Sequence, residues 1–228
     1  MKKTITAALL LLVLACSPSD AAKDMDVSGR INSAVKAVEK MIKSKSAPGL
    51  AASVKEGIGV AIFPEVVKAG FVVGGRYGEG LMICRDPKTG VWYGPAFFSI
   101  GGGSVGLQIG ASSTALVLTV NTEEGMKAFR GSTFTVGADV AAVAGPSGRS
   151  ASVGTDINAR APLYSYSITK GVFAGAAIDG SVISELPNVN DAYWGKHISN
   201  VQAFKQRASK KEIQPLINAL NRLIKLAK

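Results

Sequence analysis

Gly94–Val120, GPAFFSIGGGSVGLQIGASSTALVLTV, carries no charged residue along its whole length. Its middle spells Gly101-x-Gly103-x-x-Gly106, the spacing of a dinucleotide-binding loop. Such a loop needs a strand before it and a helix after it, so that the pyrophosphate meets a helix N-terminus. After Gly106 the chain instead alternates Leu107 and Ile109 with Gln108 and Gly110, a period of two that marks a strand. Ala115 to Val120 is apolar at every position but one, as in a central strand buried on both faces. The stretch therefore reads as sheet. Its glycines permit bulges, curvature or the close approach of another backbone. No cofactor is expected.

Outward from this stretch the chain stays strand-rich. Gly59–Phe63 is one expected strand, stopped by Pro64, and Ala69–Arg76, Gly80–Arg85 and Val91–Tyr93 are others. Asp86-Pro-Lys-Thr-Gly90 is a turn by composition. Beyond Val120, Thr122 is the expected N-cap of a short helix with Glu123 and Glu124 in its first turn. Strands are expected at Thr133–Ala144, Ser150–Asp156 and Leu163–Thr169, the first two divided by Gly145–Gly148. Lys170-Gly171 reads as a turn, with Val172–Ile183 as the return strand.

Helices lie at both ends. Ile31, Ala34, Val35, Val38, Met41 and Ile42 recur at helical spacing after Ser28, an expected cap, and Pro48-Gly49 is the expected end. A second short helix is expected over Gly49–Glu56. Ile213, Leu216, Ile217, Leu220, Leu223 and Ile224 form a C-terminal stripe, with Pro215 near its first turn. Each amphipathic helix could pack on the sheet or lie on a membrane surface. The fold class is α+β: a Gly-rich antiparallel sheet, curled like a sandwich or barrel, flanked by amphipathic helices from both termini.

The net charge of +10 points to anionic partners, but it is unevenly spread. Gly57–Gly195 holds nine Lys/Arg against ten Asp/Glu, whereas Lys196–Lys228 holds eight against one and Lys23–Glu56 seven against four. A nucleic-acid reader interleaves basic residues with aromatics on its fold. Here the aromatics sit in the neutral middle, so no nucleic acid is expected. The basic flanks point to lipid headgroups, with Lys36, Lys40, Lys43 and Lys45 at one end and Lys205, Arg207, Lys210 and Lys211 at the other.

Residues 1–16, MKKTITAALLLLVLAC, have two lysines followed by an apolar run too short to span a bilayer. The run ends in Val13-Leu14-Ala15-Cys16, which resembles a bacterial lipobox. Cys16 is the expected lipidation site, carrying acyl chains such as palmitate, and two or more chains anchor stably where one does not. The alternative is ordinary cleavage near Ala21 or Ala22. Ser17 in place of an acidic residue favours the outer membrane, facing the periplasm. Residues 17–27 are a tether and 28–228 a single domain.

Chemistry finds little support. His197 is the sole histidine, and no CxxC, HExxH or G-x-S-x-G pattern occurs. Cys84 lies in an apolar run and reads as a buried small hydrophobe. Lys68, Arg76 and Arg85 could meet a phosphate, with a solvated surface as the default. No enzyme and no metal site is expected.

At the level of whole motifs, Gly57-Ile-Gly-Val-Ala-Ile-Phe-Pro64, Lys68-Ala-Gly-Phe71, Gly74-Gly-Arg-Tyr-Gly-Glu-Gly80 and Gly90-Val-Trp92 with Pro95 resemble the SYLF domain family. Gly106–Gly110, Phe129-Arg-Gly131, Ala144–Arg149, Tyr164–Ser167, Lys170–Gly175, Gly180-Ser181 and Tyr193-Trp-Gly195 continue the resemblance in order, over about two thirds of the chain. It implies a phosphoinositide- and anionic-lipid-binding module, assisted in eukaryotic members by an amphipathic N-terminal segment; some members bind actin. The lipobox-like start fits the bacterial kind, which makes actin an unexpected partner and leaves an envelope protein as the alternative one. No SH3 or FYVE pattern accompanies the domain here, so trafficking roles are not carried over. The expected function is a membrane-anchored, non-enzymatic lipid-binding protein of the bacterial envelope. The alternative is an envelope structural or protein-interaction lipoprotein.

Overall fold

The computed structural model describes residues 26–44, 47–145, 161–169, 172–175 and 178–227, with the side chains of 71–73, 104–111, 169 and 172–175 left aside. The expected signal segment, Cys16, most of the tether, Lys45, the Ser150–Asp156 strand and the Lys170-Gly171 turn lie outside the described residues.

The chain runs α1 (Val27–Ile42), α2 (Ala47–Glu56), β1 (Gly59–Arg85), β2 (Trp92–Val120), α3 (Glu123–Arg130), β3 (Thr133–Thr135) and β4 (Ala142–Ala144). It continues with β5 (Leu163–Thr169), β6 (Val172–Gly175), β7 (Val182–Glu185), α4 (Pro187–Trp194), α5 (Asn200–Ala203), a 3-10 turn and α6 (Gln214–Ile224). The expected α+β architecture with a curled, mostly antiparallel sheet is what the chain forms. The strand order is β3-β7-β2-β5-β4, with β1 on the other edge of β2 and β6 beside β5; among the described strands only β4 and β5 pair parallel.

β1 and β2 are far longer than the segments read from sequence. They pair antiparallel from Gly59↔Val120 to Arg85↔Trp92. Pro64 does not end β1: it falls in a register shift between Phe63 and Val66, where the absent N–H costs no ladder bond. No helix follows Gly106, and β2 continues as strand to Val120.

The ribbon doubles back on itself. The Arg85 amide donates to the Ile58 carbonyl at 3.0 Å, so the two ends of β1 meet. At Gly80 a Cβ would stand 2.1 Å from the Ile62 carbonyl oxygen, and at Gly78 one would stand 2.4 Å from that of Glu65. Only glycine lets the two arms approach this closely.

Both sheet faces are buried, and alternation assigns each residue to one of two cores. Val60, Ile62, Leu81, Ile83, Phe97 and Val117 join α1, α2 and α6 on one face. Ala61, Phe63, Met82, Phe98, Leu116 and Leu118 join α3 and β3 on the other. Phe129 of α3 packs edge-on between Phe98 and Phe134, with ring centroids 5.4 and 4.8 Å away.

Local corrections follow from capping. Asp26, not Ser28, caps α1: its carboxylate accepts from the Gly29 amide at 2.8 Å. Pro48 and Gly49 open α2 rather than close α1, since proline is tolerated where a helix's first amides lack partners. Val172–Ile183 is two strands, β6 against β5 and β7 between β2 and β3. Thr133–Ala144 is likewise two short strands. Thr122 caps α3 and Pro215 sits in the first turn of α6, both as expected.

Candidate functional site

α1 places its lysines by amphipathic logic. Ile31, Ala34, Ala37, Val38 and Met41 are buried and share one core with Leu216, Leu220 and Leu223 of α6. The apolar faces of both terminal helices are thus taken up inside the domain. Lys36, Lys40 and Lys43 remain exposed on the outer face of α1. Glu39 between them is paired with Arg222 of α6, which removes the carboxylate nearest the lysines.

Lys40 and Lys43 line a cavity of about 440 Å³ together with Ser44, Pro64, Ser113 and Ile168. Among the described residues its lining contains two lysines and no carboxylate. The Ser44 hydroxyl is buried and finds no partner among the described residues. The Ser113 hydroxyl donates to Glu65 at 3.0 Å. Lysines at a helix C-terminus also offset the helix dipole, an effect of about 0.3–1 kcal/mol. The cavity is a further feature that this effect does not require.

The C-terminal basic residues do not join this group. Lys205 is exposed at a second cavity of about 500 Å³, which also takes in Arg85, Asp86, Glu123 and Arg130. The charges there are largely internal. Arg130 donates to Glu123 at 2.9 Å, and Arg85 donates to the Lys55 carbonyl at 2.8 Å while lying 5.9 Å from the Trp92 ring centroid. Arg207 is exposed and bridges Tyr93 through its backbone. Lys211 is exposed at the start of the 3-10 turn.

Lys210 is a correction to the expected set. Its ammonium donates to the Tyr193 carbonyl and lies 4.6 Å from the Tyr193 ring and 5.5 Å from that of Trp194. It ties the 3-10 turn to the end of α4 and is not offered to a headgroup.

Cys84 is buried as expected. Burial pushes its thiol up to about 12, and its Sγ lies 3.9 Å from the Met126 sulfur. His197 is exposed, its Nδ1 3.2 Å from the Asp191 carboxylate.

Sequence reasoning missed Ser44 and Ser113, which carry no signal of their own; they become site residues only because α1 ends over the base of the ribbon. It also missed the relation of Lys68 to Arg76. The Lys68 ammonium is held below the usual lysine range, first by partial burial and then by the Arg76 guanidinium. The Nε of Arg76 is buried without an acceptor among the described residues.

Residues 101–223, more than half of the chain, match the family described as "Ysc84: Las17-binding protein actin regulator". The chain belongs to the Ysc84, or SYLF, family. It is 36% identical over 160 residues to an SH3 domain-containing protein of Schizosaccharomyces pombe, covering 68% of this chain and 37% of that protein. It is 32% identical over 173 residues to Protein YSC84 of Saccharomyces cerevisiae, covering 75% and 36%. It is 32% identical over 141 residues to the human SH3 domain-containing YSC84-like protein 1, covering 61% and 41%. The matched part spans roughly two fifths or less of each relative. The family description speaks of binding and regulation, and none of these three relatives' names is that of an enzyme.

Proposed function

We propose that the protein is a non-enzymatic lipid-binding module that recognises anionic phospholipid headgroups. Lys36, Lys40 and Lys43 form its main contact, with Lys205, Arg207 and Lys211 as peripheral charges. The observation that carries this reading is the cavity holding Lys40 and Lys43, whose described lining residues include no carboxylate. A lipid phosphate there would meet two cations. Each near-surface lysine is worth about 1 kcal/mol against an anionic leaflet, screened within a Debye length. In this reading Cys16 supplies a lipid anchor in the bacterial envelope, at the outer membrane facing the periplasm, and the domain reads the membrane surface.

Co-sedimentation of the full chain carrying Cys16→Ser tests it. The expected result is binding to phosphatidylcholine vesicles only when phosphatidylglycerol is added, weakening as salt rises. Lys40→Glu with Lys43→Glu should lower that binding by about tenfold or more, since 1.4 kcal/mol is a factor of ten. Equal, salt-insensitive binding to neutral and anionic vesicles would sink the headgroup reading.

A second reading is a protein-interaction module, and the family description as Las17-binding actin regulators favours it. Absence of vesicle binding together with saturable recovery of one protein partner from the envelope would select it. Actin-filament co-sedimentation checks the eukaryotic version, which the lipobox-like start makes unexpected for this chain.

A further inference from the structure

The β1–β2 ribbon runs on past the described core residues. Among the described side chains, the buried cores take β1 only up to Val66 and again from Leu81, and take β2 up to Ile100 and again from Leu116. Between these limits no third strand pairs with the ribbon among the described residues. β7 pairs with β2 no further than Gly101, and β5 begins at Ala115.

Its base is held firmly. Gly78 and Gly80 bring the two arms into contact. The Arg30 Nε donates to Glu79 at 3.0 Å and the Tyr77 hydroxyl donates to the same carboxylate at 2.6 Å, which fastens one arm to α1. From that base to the bend is about five residues, an extension of roughly 15 Å.

An exposed two-stranded ribbon is marginal in water, and its free edges invite unwanted pairing unless charges guard them. This one is almost without charge. The bend reads Ala69-Gly-Phe-Val-Val-Gly-Gly75 on β1, and β2 has no Asp, Glu, Lys or Arg anywhere. Val67 and Tyr77, one on each arm, are 42% and 55% exposed. The sole charges between Val66 and Gly78 are Lys68 and Arg76, both positive, and Arg76 holds a buried Nε without an acceptor among the described residues.

We propose that the bend of the ribbon, Val67–Tyr77 with its partner residues on β2, docks into the interface of an anionic bilayer, with Lys68 and Arg76 receiving lipid phosphate. The proposal rests on the lipid-binding reading above and names the element that carries it. An uncharged tip with a pair of cations behind it matches the order of layers in a leaflet, apolar boundary first and phosphates next. Pairing with a second copy through β1 is disfavoured, because Lys68 and Arg76 would lie against their own counterparts. Pro64 and Ser113, at the base of the ribbon, also line the Lys40/Lys43 cavity.

The test is a fluorophore sensitive to polarity, attached to Val67→Cys in the full chain with Cys16→Ser. The buried Cys84, with its thiol held protonated, stays unlabelled. Vesicles containing phosphatidylglycerol should shift the probe to the blue, and phosphatidylcholine vesicles should leave it unchanged. Lys68→Glu with Arg76→Glu should lower vesicle affinity at least tenfold with the thermal midpoint unchanged, and Val67→Asp should lower it several-fold. Vesicle binding with a silent probe, and with full affinity in both variants, overturns the docking ribbon while leaving the headgroup reading intact. A probe shift that needs only higher protein concentration, with no vesicles, assigns the bend to self-pairing and overturns the proposal. No vesicle binding at all removes both readings.

Discussion

Two halves of one strand pair have opposite surroundings. At Gly59–Val66 and Gly80–Arg85, β1 lies in a sheet whose two faces are both covered, and alternate side chains enter separate cores. At Val67–Tyr77 the same ladder continues with no described side chain in either core. Backbone pairing alone therefore does not mark the hydrophobic interior. It carries the strand past the interior, and the excess length is what the protein can present to something else. The difference teaches that a long ladder can serve as scaffold at one end and as contact surface at the other.

The comparison can be broken at its strongest point first. Phe129→Ala should cost about 3–5 kcal/mol, because the ring fills the space between Phe98 and Phe134 and its removal leaves a cavity. Denaturant unfolding measures this, and a loss below about 1 kcal/mol would mean that the α3 side of the sheet is not a packed core. Next, Gly80→Ala should cost about 2–3 kcal/mol, since the new Cβ meets backbone at 2.1 Å where the arms touch. A neutral result would show that the ribbon does not close at its base.

A third expectation concerns pH. Burial pushes the Cys84 thiol up to about 12 and the Tyr166 phenol, which shares a 2.5 Å hydrogen bond with Ser53, up to about 12. Both groups are protonated in the folded state and have raised pKa values. Their contribution is complete below the unfolded values of 9.0 and 10.0 and is lost as pH rises through the folded ones. Stability should therefore decline from about pH 9 to about pH 12, by at most about 1.4 kcal/mol per pH unit for each group. Cys84→Ala should move the start of the decline toward pH 10, as thermal melts across that range would reveal. The smallest effect is at the bend: Gly103→Ala, with nothing within 4 Å of the new Cβ, should stay within about 0.5 kcal/mol of the parent. A large loss there would place the bend inside a core after all.

Much of the fold was legible in the residues. The alternation after Gly106 excluded a phosphate loop, Thr122 and Pro215 announced their helices, and the terminal stripes announced amphipathic helices. What misled was local punctuation read without its context. Pro64 looked like a stop, yet an irregular ladder position accommodates it. Asp26 and Ser28 were both competent caps, and geometry chose the carboxylate that reaches the Gly29 amide. Val172–Ile183 looked continuous because a run of apolar residues does not record which neighbour each half serves.

The candidate site was legible in its charges and not in its grouping. Lys36, Lys40 and Lys43 are recognisable from helical spacing, because residues three and four apart share a face. Lys210 looked equivalent to them, but a half-buried ammonium among two rings and a carbonyl is a structural tie. Ser44 and Ser113 lie far apart in the chain and meet only because α1 ends over the base of the ribbon.

The sequence by itself determined the alternation of the strands, the amphipathic ends, the near-neutral middle and the family, since each is a property of neighbours in the chain. Tertiary structure alone decided that both terminal helices spend their apolar faces on the domain's own core, that Pro64 lies within a strand, and that the two arms of one ribbon meet at Gly78 and Gly80. The reason is physical: periodicity records which side chains share a face, whereas the partner of that face depends on distant backbone that only packing brings near.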